Sequence, residues 1–537
     1  MGKRDDITQS RIVIVGAGPV GSILALELAR HNVPCTVVER STAAPLFPKM
    51  DYINGRSMEL LRRLGLAEPI REGGVDRQHS SDFLWIDSLP QPPVAVWRQE
   101  SPAAKQAAAR KADEGTAPLE PYLRIAGALL EELLRRRLRD HPDCTVLEGW
   151  TFESLRRRDD GVTAVIASGS RTRELAAEYL VGCDGAGSAV RAAAGIESEF
   201  ADQPSERCSV YFRSGDPVLR RWGRAFITTS SRGIALVSRD EKELWTASFP
   251  VDPDEAADID PVAVMREKLG ADFAVDEVLS VNRWHGALSV AERYRSGRVF
   301  LAGDSAHRFY PFGGHGANTG IADAVDLGWK LAAVLGGWGG AALLDSYEAE
   351  RRPVALFNRE MSANLLEVWR RYARMSADGA SRAHRAGFLA KEAYQADNTG
   401  VHFGYRYEGS PVIAAEEGEA PQWDWTAIVP STWPGGRPPS IRLGDGTALF
   451  DAFGTGFTLV DMSQVDTGKA LVARAVERGI PMTHLAVDDA DVRDVWQRDL
   501  VLVRPDQHVA WRGNHAPANP DALLDLVTGA PTRTDEA

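Results

Sequence analysis

The clearest pattern in the chain lies near its start. Ile12-Val13-Ile14-Val15 is an unbroken β-branched run after Arg11, as expected of a strand buried on both faces of a parallel sheet. Gly16-Ala17-Gly18-Pro19-Val20-Gly21 ends it, and the stretch from Ile23 to Leu28 then has the apolar character of a packed helix. A second run, Thr36-Val37-Val38, ends in Glu39 and Arg40. Strand, glycine turn, helix and strand make one β-α-β unit.

Further on, Met58 to Leu64 has helical spacing, with Leu60, Leu61 and Leu64 on one side, Glu59, Arg62 and Arg63 on the other, and Asn54 or Ser57 as cap. Phe83 to Ile86 reads as a strand. Residues 99–118, poor in large apolar side chains, read as an exposed mobile insertion. A helix is expected from Ile125 to Leu138, then a ribbon of Thr145–Leu147 and Val162–Ile166, and a strand from Tyr179 that ends in Cys183-Asp184-Gly185. Short runs at 209–212, 225–228, 234–237 and 245–249 predict one antiparallel sheet. Arg298 to Ala302 is a strand ending in Gly303-Asp304, and the glycine-rich run from Gly313 to Gly320 opens a helix from Ile321 to Leu335. A charged, amphipathic helical region follows from about Asp345 to Tyr394. Pro, Gly and Trp then dominate, and the tail reads strand, helix, strand, strand, a thioredoxin-like order without CxxC.

At 537 residues the chain is too long for one core and predicts two or three domains. A net charge of −13 argues against nucleic acid or an anionic membrane as partner. Cys35, Cys144, Cys183 and Cys208 are scattered and read as reduced thiols of a cytoplasmic protein. No signal-like apolar segment and no apolar run of membrane-spanning length is seen. His307 and His315 fall inside glycine-rich segments without ligand spacing, so no metal is expected.

The first turn carries the first chemistry. In Gly16-x-Gly18-x-x-Gly21, Gly16 permits the tight turn, Gly18 lets backbone approach a pyrophosphate, and Gly21 lets helix pack on strand. The helix N-terminus offers free N–H groups to phosphate. Glu39 is placed to grip an adenosine ribose hydroxyl, with Arg40 beside it.

This turn, the Cys183-Asp184-Gly185 turn, and Gly303-Asp304 followed by Gly313-Gly314-x-Gly316-x-Asn318 together resemble the FAD-dependent aromatic hydroxylases. These are single-component flavoprotein monooxygenases that include phenol hydroxylase and the polyketide hydroxylases. Leu443-x-Asp445-Gly446 and Phe453-Gly454-x-Gly456 extend the likeness to the branch with a C-terminal thioredoxin-like domain. The resemblance implies an α/β fold: a Rossmann-type FAD-binding domain over 1–90, 121–190 and 291–400, an antiparallel β-sheet middle domain over 200–290 for substrate, a linker over 401–440, and a thioredoxin-like α/β domain over 441–537.

It also implies roles. Asp304 would accept from a ribityl hydroxyl, and Gly313, Gly314, Gly316 and Ala317 would let backbone lie close to the isoalloxazine. A helix starting at Asn318 would point its dipole at the flavin N1–C2=O locus. Asp184-Gly185 matches the family's fingerprint for FAD and NADPH. Arg56 and Lys49 flank the flavin region, Lys49 where an arginine is common. Arg124 precedes Gly127, which stands where the family often has a cofactor-contacting glutamine; Arg124 either compensates or is a solvated helix start. Asp51 stands where phenol hydroxylases face the substrate with an aspartate, and is read either as the group that activates a phenol hydroxyl or as a turn residue. Tyr211, Phe226, Trp245 and Trp284 wall an aromatic pocket or are plain core.

The activity implied is hydroxylation of a phenolic or polyketide-like aromatic through a flavin C4a-hydroperoxide, with FAD as cofactor, NADPH or NADH as reductant, O2 as co-substrate, and a monomer or homodimer as the unit. Baeyer–Villiger or epoxidising oxygen insertion, and a FAD-binding protein that sequesters a ligand without oxygenating it, stay open.

Overall fold

The computed structural model describes residues 8–45, 47, 50–112, 114–252, 259–463 and 467–531. In chain order the elements that position the site are β1 (Thr8–Val15), α1 (Pro19–Arg30), β2 (Cys35–Glu39), α2 (Gly55–Arg63), β3 (Phe83–Ile86), β4 (Ala95–Trp97), β5 (Cys144–Glu148), β6 (Arg171–Gly182), β7 (Ser205–Arg213), β8 (Ile227–Ser230), β9 (Ile234–Ser238), β10 (Leu244–Pro250), β11 (Glu277–Gly286) and β12 (Val299–Leu301). They continue with α3 (His315–Leu335), α4 (Ala341–Ala377), β13 (Phe457–Asp461), β14 (Met482–Ala486), β15 (Leu500–Val503) and β16 (Val509–Gly513).

The β-branched run of β1 is the centre of a parallel sheet ordered β12-β6-β1-β2-β5. Ile12, Val13 and Ile14 are fully buried there, between α1 and α3 on one side and the rest of the first core on the other. The fold is therefore a Rossmann-type α/β arrangement, as expected for the FAD-binding unit, with a middle sheet and a C-terminal thioredoxin-like unit.

The middle sheet has seven strands in the order β11-β7-β10-β9-β8-β3-β4. Its pairs are antiparallel except β8 with β3, which are parallel. Phe83–Ile86, expected within the first FAD-binding segment, thus belongs to the middle sheet, brought there by a pairing between residues far apart in sequence. One sheet face, carrying Cys208, Val210, Phe212, Trp245, Ala247 and Phe249, forms its own core.

Two further expectations are corrected. Within 99–118, Pro102–Ala109 is an α-helix, started by Ser101 Oγ accepting from the Ala104 amide at 3.2 Å. A proline at the first turn and a run of alanines make that helix locally favourable. The 401–440 segment, expected as a linker, is packed onto the protein: Val401, Phe403, Tyr407, Val412, Thr432 and Arg437 on it are all buried.

The C-terminal sheet is ordered β14-β13-β15-β16, with only the first pair parallel. Its core is continuous with the FAD-binding unit, since Trp329 and Ala333 of α3 and Leu343 of α4 pack on Phe457, Leu459 and Leu502. Arg504, on the turn between β15 and β16, donates to Glu350 Oε1 at 2.7 Å, Asp326 Oδ1 at 2.8 Å and Asp506 Oδ2 at 2.7 Å. Lys330 completes the cluster at 2.8 Å from Asp326 and 2.5 Å from Glu350. All five side chains are buried, so each charge depends on its partners for solvation. Among the described residues no helix is long and apolar enough to cross a membrane.

Candidate cofactor cradle and active site

The glycine turn after β1 has three distinct local geometries. Gly16 has φ +105° and a Cβ there would stand 2.4 Å from the Cys183 carbonyl oxygen; a Cβ on Gly21 would stand 2.0 Å from that of Gly16. Both are closed by protein. A Cβ on Gly18 would meet no atom within 4 Å. The space beside Gly18 opens at the N-terminus of α1, where backbone can approach a pyrophosphate. Glu39, at the end of β2, accepts from the Ala17 amide at 2.8 Å and the Ser41 amide at 2.8 Å. That fixes a buried carboxylate against the turn with lone pairs remaining for a ribose hydroxyl. Arg40 beside it is exposed.

The other two expected motifs differ from each other. Both oxygens of Asp184 are engaged by the following helix start, Oδ1 by Ser188 Oγ at 2.5 Å and Oδ2 by the Val190 amide at 3.1 Å. Its side chain shapes the turn at Gly185, which has φ +84°. Asp304 is exposed and accepts no hydrogen bond from a described residue. The preceding Gly303 amide donates to Asp323 Oδ2 at 3.1 Å, and the same carboxylate meets His307 Nε2 at 2.9 Å and takes Arg351 Nε at 2.8 Å. Burial opposes the charge on Asp323, but Arg351 and His307 overcome it and hold the carboxyl below its usual range.

The helix expected from Asn318 begins at His315, capped by the left-handed Gly314. Asn318 instead acts as a bolt. Its Oδ1 accepts from the Asn54 amide at 2.9 Å, and its Nδ2 donates to the Tyr52 carbonyl at 3.0 Å and the Gly314 carbonyl at 2.6 Å. This fastens the Asp51–Asn54 segment to the start of α3. Gly316 and Ala317 on the first turn of α3 are half-buried. Beneath it lies a cavity of about 20 Å³, room for one water, lined in part by Asn54, His315, His402 and Tyr405. Burial lowers the imidazole of His315 to about 4 and that of His402 well below its usual value, so both are neutral near pH 7.

Asp51 Oδ1 is in contact with Arg239 NH1, an ion pair between the FAD-binding unit and the middle sheet. Arg239 Nε donates to Thr246 Oγ1 at 2.8 Å. Burial pulls the Arg239 guanidinium down to about 9, and the carboxylate against it works in the opposite sense.

Tyr211 and Trp284 lie on the open face of the middle sheet, since Tyr211 alternates with Val210 and Phe212, and Trp284 Nε1 donates to Ser209 Oγ at 2.9 Å. Trp245 points the other way, into the core, with Nε1 on the Ser214 carbonyl at 3.1 Å. Phe226 lies beneath Arg124, at 4.1 Å from guanidinium carbon to ring centre.

Two basic residues expected near cofactor are held by protein partners. Arg124 donates to Glu241 Oε1 at 2.5 Å and the Ser238 carbonyl at 2.6 Å. Arg56 donates to Gln507 Oε1 at 2.8 Å and the Asp506 carbonyl at 2.9 Å, tying α2 to the C-terminal unit. Lys49 lies outside the described residues. Sequence reasoning missed Arg239 and Asp323. Arg239 sits in a charged stretch that reads as a solvated turn, but Asp323, Asp326 and Lys330 inside an otherwise apolar helix were a visible signal of buried partners.

Residues 9–359 match the FAD binding domain family, and residues 431–531 match the aromatic-ring hydroxylase C-terminal family. The FAD-dependent monooxygenase apdD of Emericella nidulans is 31% identical over 96% of this chain and 90% of its own length. Chromopyrrolic acid-soaked RebC with bound 7-carboxy-K252c superposes with a TM-score of 0.86 at 33% identity, over 98% of this chain and 100% of that one. Aklavinone-11 hydroxylase in ternary complex with FAD and aklavinone gives 0.81 at 28%, with the same coverage.

Proposed function

The chain belongs to the FAD-dependent aromatic-ring hydroxylases, and from that premise we propose that it uses NADH or NADPH, FAD and O2 to place one oxygen atom on a phenolic or polyketide-like aromatic ring. The observation that carries the reading is the Asn318 bolt. It ties the Tyr52–Asn54 backbone, next to Asp51, to the helix start that would lie along the flavin, which supports a site where one piece of backbone orients both substrate and cofactor.

The turn at Gly18 and the Glu39 carboxylate fit an adenosine diphosphate, and exposed Asp304 fits a ribityl chain. FAD, when bound, supplies the oxygen activation that no side chain can. Asp51 is paired through Oδ1 with the Arg239 guanidinium. Its other oxygen is the acceptor for a phenol hydroxyl, holding the O–H and drawing its proton as the ring turns nucleophilic. A cation-paired carboxylate is a weak base, so Asp51 polarises and orients more than it deprotonates. The open sheet face with Tyr211 supplies the wall across which the ring lies.

Anaerobic mixing of the holoenzyme with NADH or NADPH, in the presence of a panel of phenols, tests the reductant half. Bleaching of the flavin's visible band by either nucleotide supports the reading; absence of bleaching by both contradicts it.

A further inference from the structure

The open face of the middle sheet holds a cation for which the protein provides no counter-charge. On β7, Arg207, Ser209 and Tyr211 alternate with the core residues Cys208, Val210 and Phe212, which places all three on the side turned toward the FAD-binding unit. Arg207 is only 7% exposed. Its Nε is sealed without a hydrogen-bond acceptor, and none of its nitrogens has a partner among the described residues. The guanidinium lies 5.9 Å from the ring centre of Trp284, its cross-strand neighbour, whose indole donates to Ser209 Oγ.

Burial draws the Arg207 guanidinium down to about 10; Tyr310 opposes this, and Arg370, of like charge, adds to it. Tyr310 is itself tied to the strand by its hydroxyl, 2.8 Å from Ser205 Oγ, and stands just before the glycines that open α3. Arg207 therefore lies between the sheet and the segment that opens α3. A guanidinium this deeply buried with no anion beside it is costly, and the cost is relieved when a ligand brings the anion.

We propose that Arg207 is the anion-binding end of the substrate site, and that the substrate carries a carboxylate or comparably acidic group remote from the hydroxyl held at Asp51. The other end of the span is set by register: Tyr211 pairs with Thr246, the residue that receives Arg239. Four steps of strand lead from Arg207 to Tyr211, ~13 Å, about the length of three or four fused six-membered rings. The inference rests on the hydroxylase reading, because it takes the Asp51 end as the reacting end.

The test is calorimetric titration of the holoenzyme with 6-hydroxy-2-naphthoate and anthracene-2-carboxylate, each beside its methyl ester. At least one acid is expected to bind about tenfold or more tighter than its ester, the range for a charged hydrogen bond. Arg207→Met should bring the acid down to the ester's affinity while leaving the ester's affinity and the flavin content unchanged, and Arg207→Lys should keep part of the preference. Removing Arg207 strands no carboxylate, so folding should survive, and Arg207→Gln serves if the methionine variant aggregates. Equal binding of acid and ester, no binding of either acid, or an acid preference that persists without Arg207 overturns the proposal. Binding is read without turnover, so failure of the hydroxylase reading shows separately, as absence of oxygenated product.

Discussion

Asp51 and Arg239 are an ion pair that joins the FAD-binding unit to the middle sheet. Under the proposed function Asp51 also faces the ring, so a substitution there is expected to disturb both the sheet and the chemistry. Asp51→Asn leaves a buried guanidinium without its counter-charge. Loss of one partner from a fully enclosed pair costs about 3–5 kcal/mol, and with Asp51 still 20% exposed about 2 kcal/mol is expected. Oxygen transfer should fall about 10²–10⁴-fold, with hydrogen peroxide replacing product. The double variant Asp51→Asn/Arg239→Met should regain most of the stability and none of the transfer. Urea unfolding with product analysis separates the two; recovery of both by the double variant would show that Asp51 is only a strut.

Gly18 offers a cleaner test of the cradle. Its φ of −66° suits any residue and a Cβ there touches nothing in the protein. Gly18→Val should therefore melt like the wild-type apoprotein yet purify without colour. A yellow Gly18→Val protein would show that the pyrophosphate lies elsewhere.

Asp304 and Glu39 should separate in the same assay. Asp304 holds no described residue, so Asp304→Ala removes only a flavin contact and should raise the FAD dissociation constant about tenfold at unchanged stability. Glu39→Gln keeps an acceptor for the Ala17 amide and should retain FAD better. Fluorescence titration of the two apoproteins checks the order, and a reversed order would place Asp304 outside the cradle.

The neutral, buried His315 makes stability depend on pH. Its folded value of about 4 lies below the ordinary 6.5, so between them the unfolded chain binds more protons and stability is lost as pH falls. At pH 5 this amounts to about 2 kcal/mol. His315→Gln should reduce the fall in unfolding free energy between pH 7 and pH 5, read from urea titrations, by about that amount. An unchanged slope would mean the ring is solvated.

What the sequence made legible was local. A β-branched run, a glycine turn and an acidic strand end lie within forty residues, and each carries its own geometric reason. Long-range partners were not legible. Asp51 meeting Arg239, Arg124 meeting Glu241, and Phe83–Ile86 joining the middle sheet all depend on pairings between distant segments. Trp245 and Tyr211 show the same limit in another form. Both sheet faces are partly apolar, so alternation alone did not say which face held the core. Asp184 shows a partner set that the motif did not reveal: its oxygens accept from Ser188 and Val190 of the helix that follows.

The central claim is that the chain moves one atom of molecular oxygen onto an aromatic ring. Turnover under isotopically labelled O2, with NADH or NADPH and a panel of phenolic and polycyclic acids, measures this directly by product mass. One labelled oxygen atom per product molecule, with the other recovered in water, is the predicted result. Product oxygen drawn from solvent water, or reductant oxidised with all of the label in hydrogen peroxide across the panel, would contradict it.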